Sequence, residues 1–248
     1  MKRRTPWVIA LSTACIAFFA VMGRTINWRE YAYGSYINSV AEDAMILLRE
    51  DPLASQEATQ RAVRIVAAAA DAGRYDAPQG GYALAVQYQR EGQQERAEAL
   101  LRQVIADRPQ WSWPYALLGS ILARTSPERL EEAEAILREA IVLEPDWARP
   151  YNTLGVILRL MERYDEAEEF ARYAVELAPD DVAAHNNYAN LMLVMGRYEE
   201  AEIHYAEALR IEAQNPKPLY NLACLYSVTG REREALEYLD EAIYLSDS

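Results

Sequence analysis

The side chains best suited to chemistry are scarce in this sequence, and its two histidines are the first to consider. Imidazole binds metals and serves as a general acid or base near neutral pH. His185 and His204 are the only histidines in the 248 residues, and both fall in predicted helices at places that packing side chains usually fill. A metal site would need further ligands, which the surrounding sequence does not supply. We therefore expect these histidines to pack inside the protein.

Paired carboxylates are the second candidate for chemistry, because two adjacent acids can divide the roles of general acid and base. Such pairs recur at Glu131-Glu132, Glu168-Glu169 and Glu199-Glu200. Their recurrence at similar intervals favours a solvated helix face over an active site. The sequence also lacks a Gly-rich phosphate loop, a nucleophile elbow and a metal-spaced His/Cys/Asp cluster. It therefore predicts no enzyme, no metal, no cofactor and no small-molecule substrate.

Charge and cysteine content narrow the range of partners further. The formal net charge is −13, and without Lys2, Arg3 and Arg4 the remaining 22 basic and 38 acidic side chains give −16. A surface this acidic repels phosphate backbones, so nucleic acid is not an expected partner. Cys15 lies in an apolar segment and Cys224 in a predicted helix, so we expect no disulfide between them.

An internal repeat organises most of the chain. Pro109, Pro145, Pro179 and then Ala213 stand 36, 34 and 34 residues apart, and GRYEEAEIHYAEALRI shows the recurring pattern between them. Small residues at fixed offsets let the two helices of each unit cross closely, while leucine and aromatic side chains fill the gaps. The small residues are Ala85, Gly119, Gly155, Ala189 and Ala223 on the first helices, and Ala97, Ala133, Ala167, Ala201 and Ala235 on the second.

This pattern resembles the tetratricopeptide repeat (TPR). The resemblance implies an all-α fold, a right-handed α-α superhelix or TPR solenoid, in which Gly92, Gly196 and Gly230 end first helices in the left-handed conformation. The second unit has two extra residues in its turn. The five units are placed at 78–111, 112–147, 148–181, 182–215 and 216–248. Residues 27–77 lack the motif, and we expect them to form a helical cap or degenerate repeat with helices near 31–50 and 54–72.

An uncharged apolar segment, residues 7–22, precedes the repeats. As a helix it would span about 24 Å, and the basic residues before it favour a cytoplasmic N-terminus. We interpret 1–26 as a retained signal-anchor with one transmembrane helix, which places the repeats on the periplasmic side of the inner membrane. A cleaved signal peptide ending near Gly23 is an alternative, and lipidation at Cys15 is a poorer one because the preceding residues match a lipobox badly.

In TPR arrays the first helices line a groove that binds partners. By this resemblance the groove offers asparagines to a peptide backbone and basic side chains to acidic groups. Trp113 is either an exposed anchor for a partner or an element of packing between repeats. The predicted partner-binding residues are Tyr82, Arg90, Trp113, Arg124, Asn152, Arg159, Asn186, Asn187, Asn190, Lys217, Tyr220 and Asn221.

The resulting hypothesis is a non-catalytic, membrane-tethered scaffold or accessory subunit that binds other proteins of an envelope complex. One alternative is a transient periplasmic assembly or maturation factor, serving cytochrome, pilus, secretion or cell-wall machinery. Another is a regulator of an enzyme on a separate chain. Self-assembly through the ends of the array is a further option.

Overall fold

The computed structural model describes residues 41–46, 49, 60–66 and 77–246, which fall into two compact units divided after Ala83. The regular structure of these residues is entirely helical, as the sequence predicts. Within this part of the chain, no helix is both long and apolar enough to cross a membrane. The predicted membrane segment, residues 7–22, lies outside the described residues and stays a prediction, as does its 1–26 domain.

The first unit contains two short helical stretches, over 41–46 and 60–66. Each buries apolar side chains that recur at helical spacing, which is the signature of an amphipathic helix. The buried side chains are Ala41, Ala44 and Met45 in one stretch and Ala62, Val63 and Val66 in the other. Both stretches fall within the predicted cap at 27–77, of which the structure describes only residues 49 and 77 besides.

From residue 77 onward, ten α-helices follow one another, and each of the five repeats contributes a first and a second helix. They are α1 (Ala77–Arg90), α2 (Gln94–Asp107), α3 (Ser112–Thr125), α4 (Leu130–Leu143), α5 (Ala148–Leu160), α6 (Tyr164–Leu177), α7 (Val182–Val194), α8 (Tyr198–Ile211), α9 (Pro216–Val228) and α10 (Glu232–Ser246). From α3 on, the two helices of each pair pack together, and each second helix packs on the first helix of the next pair. The two extra residues of the second repeat are taken up by a 3-10 turn, Pro127–Arg129.

The turn inside four of the five described repeats, all but the second, contains one residue in the left-handed conformation. Gly92, Gly196 and Gly230 have φ of 76°, 75° and 77°, which confirms the prediction that they end first helices. The third repeat makes the same turn with Glu162 at φ 61°. In each case the following residue donates its backbone N–H to a carbonyl five positions back, as from Arg163 to Leu158 at 2.9 Å.

Small side chains on the second helices form the tightest part of the core. Ala97, Ala133, Ala167 and Ala201 are completely buried. On the first helix α3, Gly119 lies so close to α4 that a Cβ added there would stand 2.5 Å from Cγ of Leu137. Leu137 is itself fully buried. Helix crossing in this repeat therefore requires a residue without a side chain at position 119.

A recurring ion-pair cluster, here called the arginine clamp, joins successive second helices. Arg163, directly before α6, pairs with Glu166 of that helix at 2.6 Å and with Glu134, 29 residues earlier, at 2.5 Å. The same arrangement recurs at Arg129 (Glu98, Glu132), Arg197 (Glu168, Glu200) and Arg231 (Glu202, Glu234). Glu132, Glu168 and Glu200 belong to the carboxylate pairs assigned above to a solvated face. That interpretation is incomplete, because these three carboxylates connect or support neighbouring repeats.

The clamp predicts a specific loss of stability in acid. A hydrogen bond from Arg129, opposed by burial and helped by Arg102, lowers the pKa of Glu98 from 4.5 to about 2. Because the folded-state pKa is depressed, the stabilisation is complete above about pH 4.5 and is lost as the pH falls through about 2. In the wild-type protein the free energy of unfolding should fall by about 1 kcal/mol over this pH range because of Glu98, and Glu98→Gln should abolish that part of the fall. Denaturant titrations at several pH values would measure it.

Glu95→Gln is the matched control, because Glu95 is an exposed carboxylate one turn away on the same helix. Its acid sensitivity should equal that of the wild-type protein. An unchanged pH dependence in Glu98→Gln would show that the clamp carries no such stabilisation.

Candidate functional site

The candidate site is the face on which the first helices of successive repeats meet. Helices α3 and α5, α5 and α7, and α7 and α9 contact one another in turn. Residues seven positions apart on a helix point the same way and lie about two turns apart. Because the first helices of successive repeats contact one another, a feature at one place of the repeat recurs along this face from helix to helix.

Four of the predicted asparagines form what we call the amide ladder. Nδ2 of Asn187 on α7 donates to Oδ1 of Asn152 on α5 at 3.0 Å, and Nδ2 of Asn221 on α9 donates to Oδ1 of Asn186 at 2.8 Å. Both hydrogen bonds span 35 residues and are partly buried. Each asparagine uses one end of its amide in the ladder and keeps the other end for a second partner.

Asn190 has a different role from the ladder residues. Its Oδ1 accepts a hydrogen bond of 2.7 Å from the hydroxyl of Tyr205, which is completely buried on the second helix α8. Burial raises the pKa of Tyr205, so its hydroxyl stays protonated as the donor. The bond ties the two helices of the fourth repeat together, which gives Asn190 a structural function within the protein.

Four predicted residues come together around one cleft of about 400 Å³. Asn186, Lys217, Tyr220 and Asn221 line one side of it, and Lys217 and Tyr220 are exposed. Pro216 and, from the second helix α10, Ala242, Ile243 and Ser246 complete the lining. Sequence reasoning missed the α10 side because it assigned the groove to first helices alone. The cleft presents an amide donor on Asn186, an amide acceptor on Asn221, an ammonium group and a phenol.

The other predicted residues do not line this cleft. Tyr82, in the first unit, is only 2% exposed, so it offers no surface to a partner in this structure. Trp113 is half-buried with its ring 5.7 Å from that of Trp111, which favours the packing interpretation. Arg159 is half-buried, whereas Arg124 is exposed.

One place of the repeat changes character along the first helices. It is occupied by Arg90 and Arg124 in the first two repeats, and then by Leu160, Val194 and Val228, which are 50%, 50% and 62% exposed. Val194 and Val228 lie seven residues after ladder asparagines, so they share that face. This apolar row went unnoticed in the sequence, although the recurrence at a single repeat position is visible there.

The two histidines face each other inside the fourth repeat, at an Nδ1–Nδ1 distance of 3.0 Å. Nε2 of His185 is 3.0 Å from the carbonyl oxygen of Pro179, which can only accept, so this nitrogen carries the proton. Nδ1 of His185 then accepts from His204. Burial, together with the neighbouring His185, lowers the pKa of His204. Over the described part of the chain, no group of three or more metal-binding side chains could hold an ion.

Comparison with protein families identifies the repeated element. Residues 158–205 match one family model and residues 216–248 match another, and both models are described as tetratricopeptide repeat. The first match includes the end of α5, all of α6 and α7, and the first half of α8, so it spans the junction between two helix pairs. No curated protein sequence matches the chain.

Solved structures give the same fold at low sequence identity. A thermophilic TPR protein from Thermus thermophilus is 23% identical with a TM-score of 0.61, covering 75% of this chain and 98% of its own. PilF from Pseudomonas aeruginosa is 22% identical with a TM-score of 0.59, covering 80% and 90%. YrrB, described as a TPR protein with an unusual peptide-binding site, is 21% identical with a TM-score of 0.51, covering 78% and 95%. The chain therefore contains tetratricopeptide repeats at 158–205 and 216–248, and its described repeats form an all-α, TPR-like solenoid.

Proposed function

We propose that this protein is a non-catalytic scaffold that holds an extended segment of a partner protein against its first helices. The observation that carries the proposal is the cleft that unites Asn186, Lys217, Tyr220 and Asn221. An extended peptide offers alternating carbonyl and N–H groups, which the second ends of the two ladder amides can bind. Lys217 adds a site for a carboxylate, either of a side chain or of a chain terminus.

The row of side chains from Arg90 to Val228 would fix the direction in which the partner's segment runs along the first helices. Acidic side chains of the partner suit Arg124 in the second repeat, and apolar side chains suit Leu160 and Val194 beyond it. The fold shared with YrrB, a TPR protein with a peptide-binding site, is compatible with this mode of binding.

We infer the site of action from the sequence alone. A helix formed by residues 7–22 would anchor the chain in the inner membrane with its N-terminus in the cytoplasm, and the repeats would stand in the periplasm. The protein would then serve as an accessory subunit of a membrane complex. A periplasmic assembly or maturation factor, and a regulator of an enzyme on another chain, are the alternatives.

The test is affinity purification of the tagged full-length protein from solubilised membranes, with mass spectrometry of the proteins recovered. A stoichiometric set of membrane or cofactor-bearing subunits would indicate a built-in component, whereas sub-stoichiometric soluble proteins would indicate a transient factor. Turnover of a substrate by the purified protein would contradict the non-catalytic role.

The double variant Lys217→Glu/Tyr220→Ala assigns the binding to the cleft. Both side chains are exposed, so we expect the fold to survive and the partner recovered to fall at least about tenfold. Tyr244→Ala is the matched control, because Tyr244 is 75% exposed and lies outside the cleft lining. Equal recovery with the double variant and the control would place the binding elsewhere.

A further inference from the structure

The last described helix departs from the repeat at the position that links neighbouring repeats. In the first four repeats this position is Glu98, Glu134, Glu168 and Glu202, and each of these carboxylates accepts the clamp arginine of the following repeat. In α10 the same position is Leu236, which is 62% exposed. A leucine side chain cannot accept a hydrogen bond from an arginine or form an ion pair with it. This end of the array therefore suits an apolar neighbour. A further copy of the repeat would instead bring a clamp arginine to this position.

Leu236 is the first residue of an apolar stripe on α10, which we call the end stripe: Leu236, Leu239 and Ile243. Their spacing of three and four residues places them on one side of the helix. Leu239 is half-buried, although the residues at its place in the preceding second helices are buried: Leu101, Leu137, Ala171 and Tyr205. Ile243 is 51% exposed.

A first helix is the natural cover for such a stripe. In the preceding repeats α4 packs against α5, α6 against α7, and α8 against α9, so each of these second helices is covered by the first helix of the next repeat. Among the residues that the structure describes, none follows α10 to cover it in this way. The shape of the surface thus suits a single helix laid along α10.

The charges around the stripe select the kind of helix. Glu232 and Asp240 are exposed four residues before and after Leu236, beside the stripe, and Glu237 and Glu241 are exposed further round α10. The basic residue Arg233 is bonded through Nε to Glu237 at 3.0 Å. A second copy of α10 would bring these carboxylates against an identical acidic set. A helix with an apolar stripe flanked by lysine or arginine would instead meet opposite charges.

We propose that the end stripe is a docking surface for an amphipathic, basic helix of a partner protein, which takes the place of the first helix of a further repeat. Leu236 and Leu239 lie outside the cleft of the proposed function, whereas Ile243 belongs to both surfaces. The protein would then bind an extended segment on its first helices and a helical segment at the end of the array.

The probe for a test is a fluorescently labelled helical peptide of about 14 residues with leucine on one face and lysine on the other. The comparison peptide has glutamate in place of lysine. Fluorescence anisotropy would be measured with the full-length protein in a neutral detergent, against the same detergent without protein. We expect the Leu/Lys peptide to bind and the Leu/Glu peptide to bind at least about tenfold more weakly.

The variant Leu236→Ser/Leu239→Ser should weaken binding of the Leu/Lys peptide at least about tenfold. Val142→Ser is the matched control, because Val142 is 74% exposed on the second helix α4, and it should bind like the wild type. Tyr220→Ala, which alters the cleft, should also bind like the wild type, so failure of this proposal is distinguishable from failure of the proposed function. Circular dichroism would confirm that each variant is folded.

Three results would overturn the proposal. One is equal peptide binding by the end-stripe variant and the Val142→Ser control. The second is equal affinity for the two peptides, which would remove the charge argument. The third is a dimer of the wild-type protein in analytical ultracentrifugation that dissociates in the end-stripe variant, because the stripe would then be covered by a second copy of this chain.

Discussion

Replacing Tyr205 by alanine is expected to lower the free energy of unfolding by about 3 to 5 kcal/mol. The side chain is completely buried in α8, so truncation leaves a cavity in the fourth repeat. It also leaves Oδ1 of Asn190 without its 2.7 Å hydrogen bond. Urea denaturation followed by far-UV circular dichroism would give the change in midpoint.

Two variants separate the causes of this loss. Tyr205→Phe keeps the ring and removes only the hydroxyl, so we expect a loss of about 1 kcal/mol. Tyr244→Ala removes a tyrosine that is 75% exposed, and its free energy of unfolding should change by less than about 0.5 kcal/mol. If Tyr205→Ala were no more destabilising than Tyr244→Ala, the described packing of the fourth repeat would be wrong.

Replacing Gly119 by valine is expected to cost about 3 kcal/mol, which is the upper end for an overpacked core. Even a Cβ at this position would lie 2.5 Å from Cγ and 2.9 Å from Cδ2 of Leu137. Because Leu137 is fully buried, it has no space into which to withdraw. The gain in helix propensity on replacing glycine, below about 1 kcal/mol, is too small to compensate.

A double-mutant cycle with Leu137→Ala tests this explanation. The alanine variant alone should lose about 2 to 5 kcal/mol through its cavity. In the double variant the valine side chain occupies part of that cavity, so the combined loss should be smaller than the sum by at least about 1 kcal/mol. Strict additivity of the two losses would show that the residues do not contact each other as described.

The repeat was predictable because its restrictions are steric and local. Close helix crossings exclude large side chains, so the small residues at Gly119 and Ala133 mark the core of a unit directly in the sequence. A left-handed residue is similarly visible where glycine supplies it, as at Gly92. The third repeat gives no such signal, because Glu162 adopts the conformation and only the surrounding hydrogen bonds hold it there.

The candidate site was predictable in position but not in detail. The asparagines of the first helices are apparent from their places in the repeat, yet the sequence does not show that Asn152 bonds to Asn187 or Asn186 to Asn221. Such pairing depends on the lateral distance between helices, which only the folded array determines. The burial of Tyr82 is a further example, since repeat position alone placed it on an open face.

The arginine clamps have a consequence for how the array opens. Each clamp couples a repeat only to the one before it, as Arg231 couples the fifth repeat to Glu202 of the fourth. An array with nearest-neighbour coupling opens at the lowest free energy at a unit with an interface on one side only, and among the described repeats the fifth is such a unit. Amide hydrogens of α10 should therefore exchange sooner than those of α6. A helix bound along α10 would supply the missing interface, so a signal of binding at this end would be a cooperative slowing of exchange that extends back into α9.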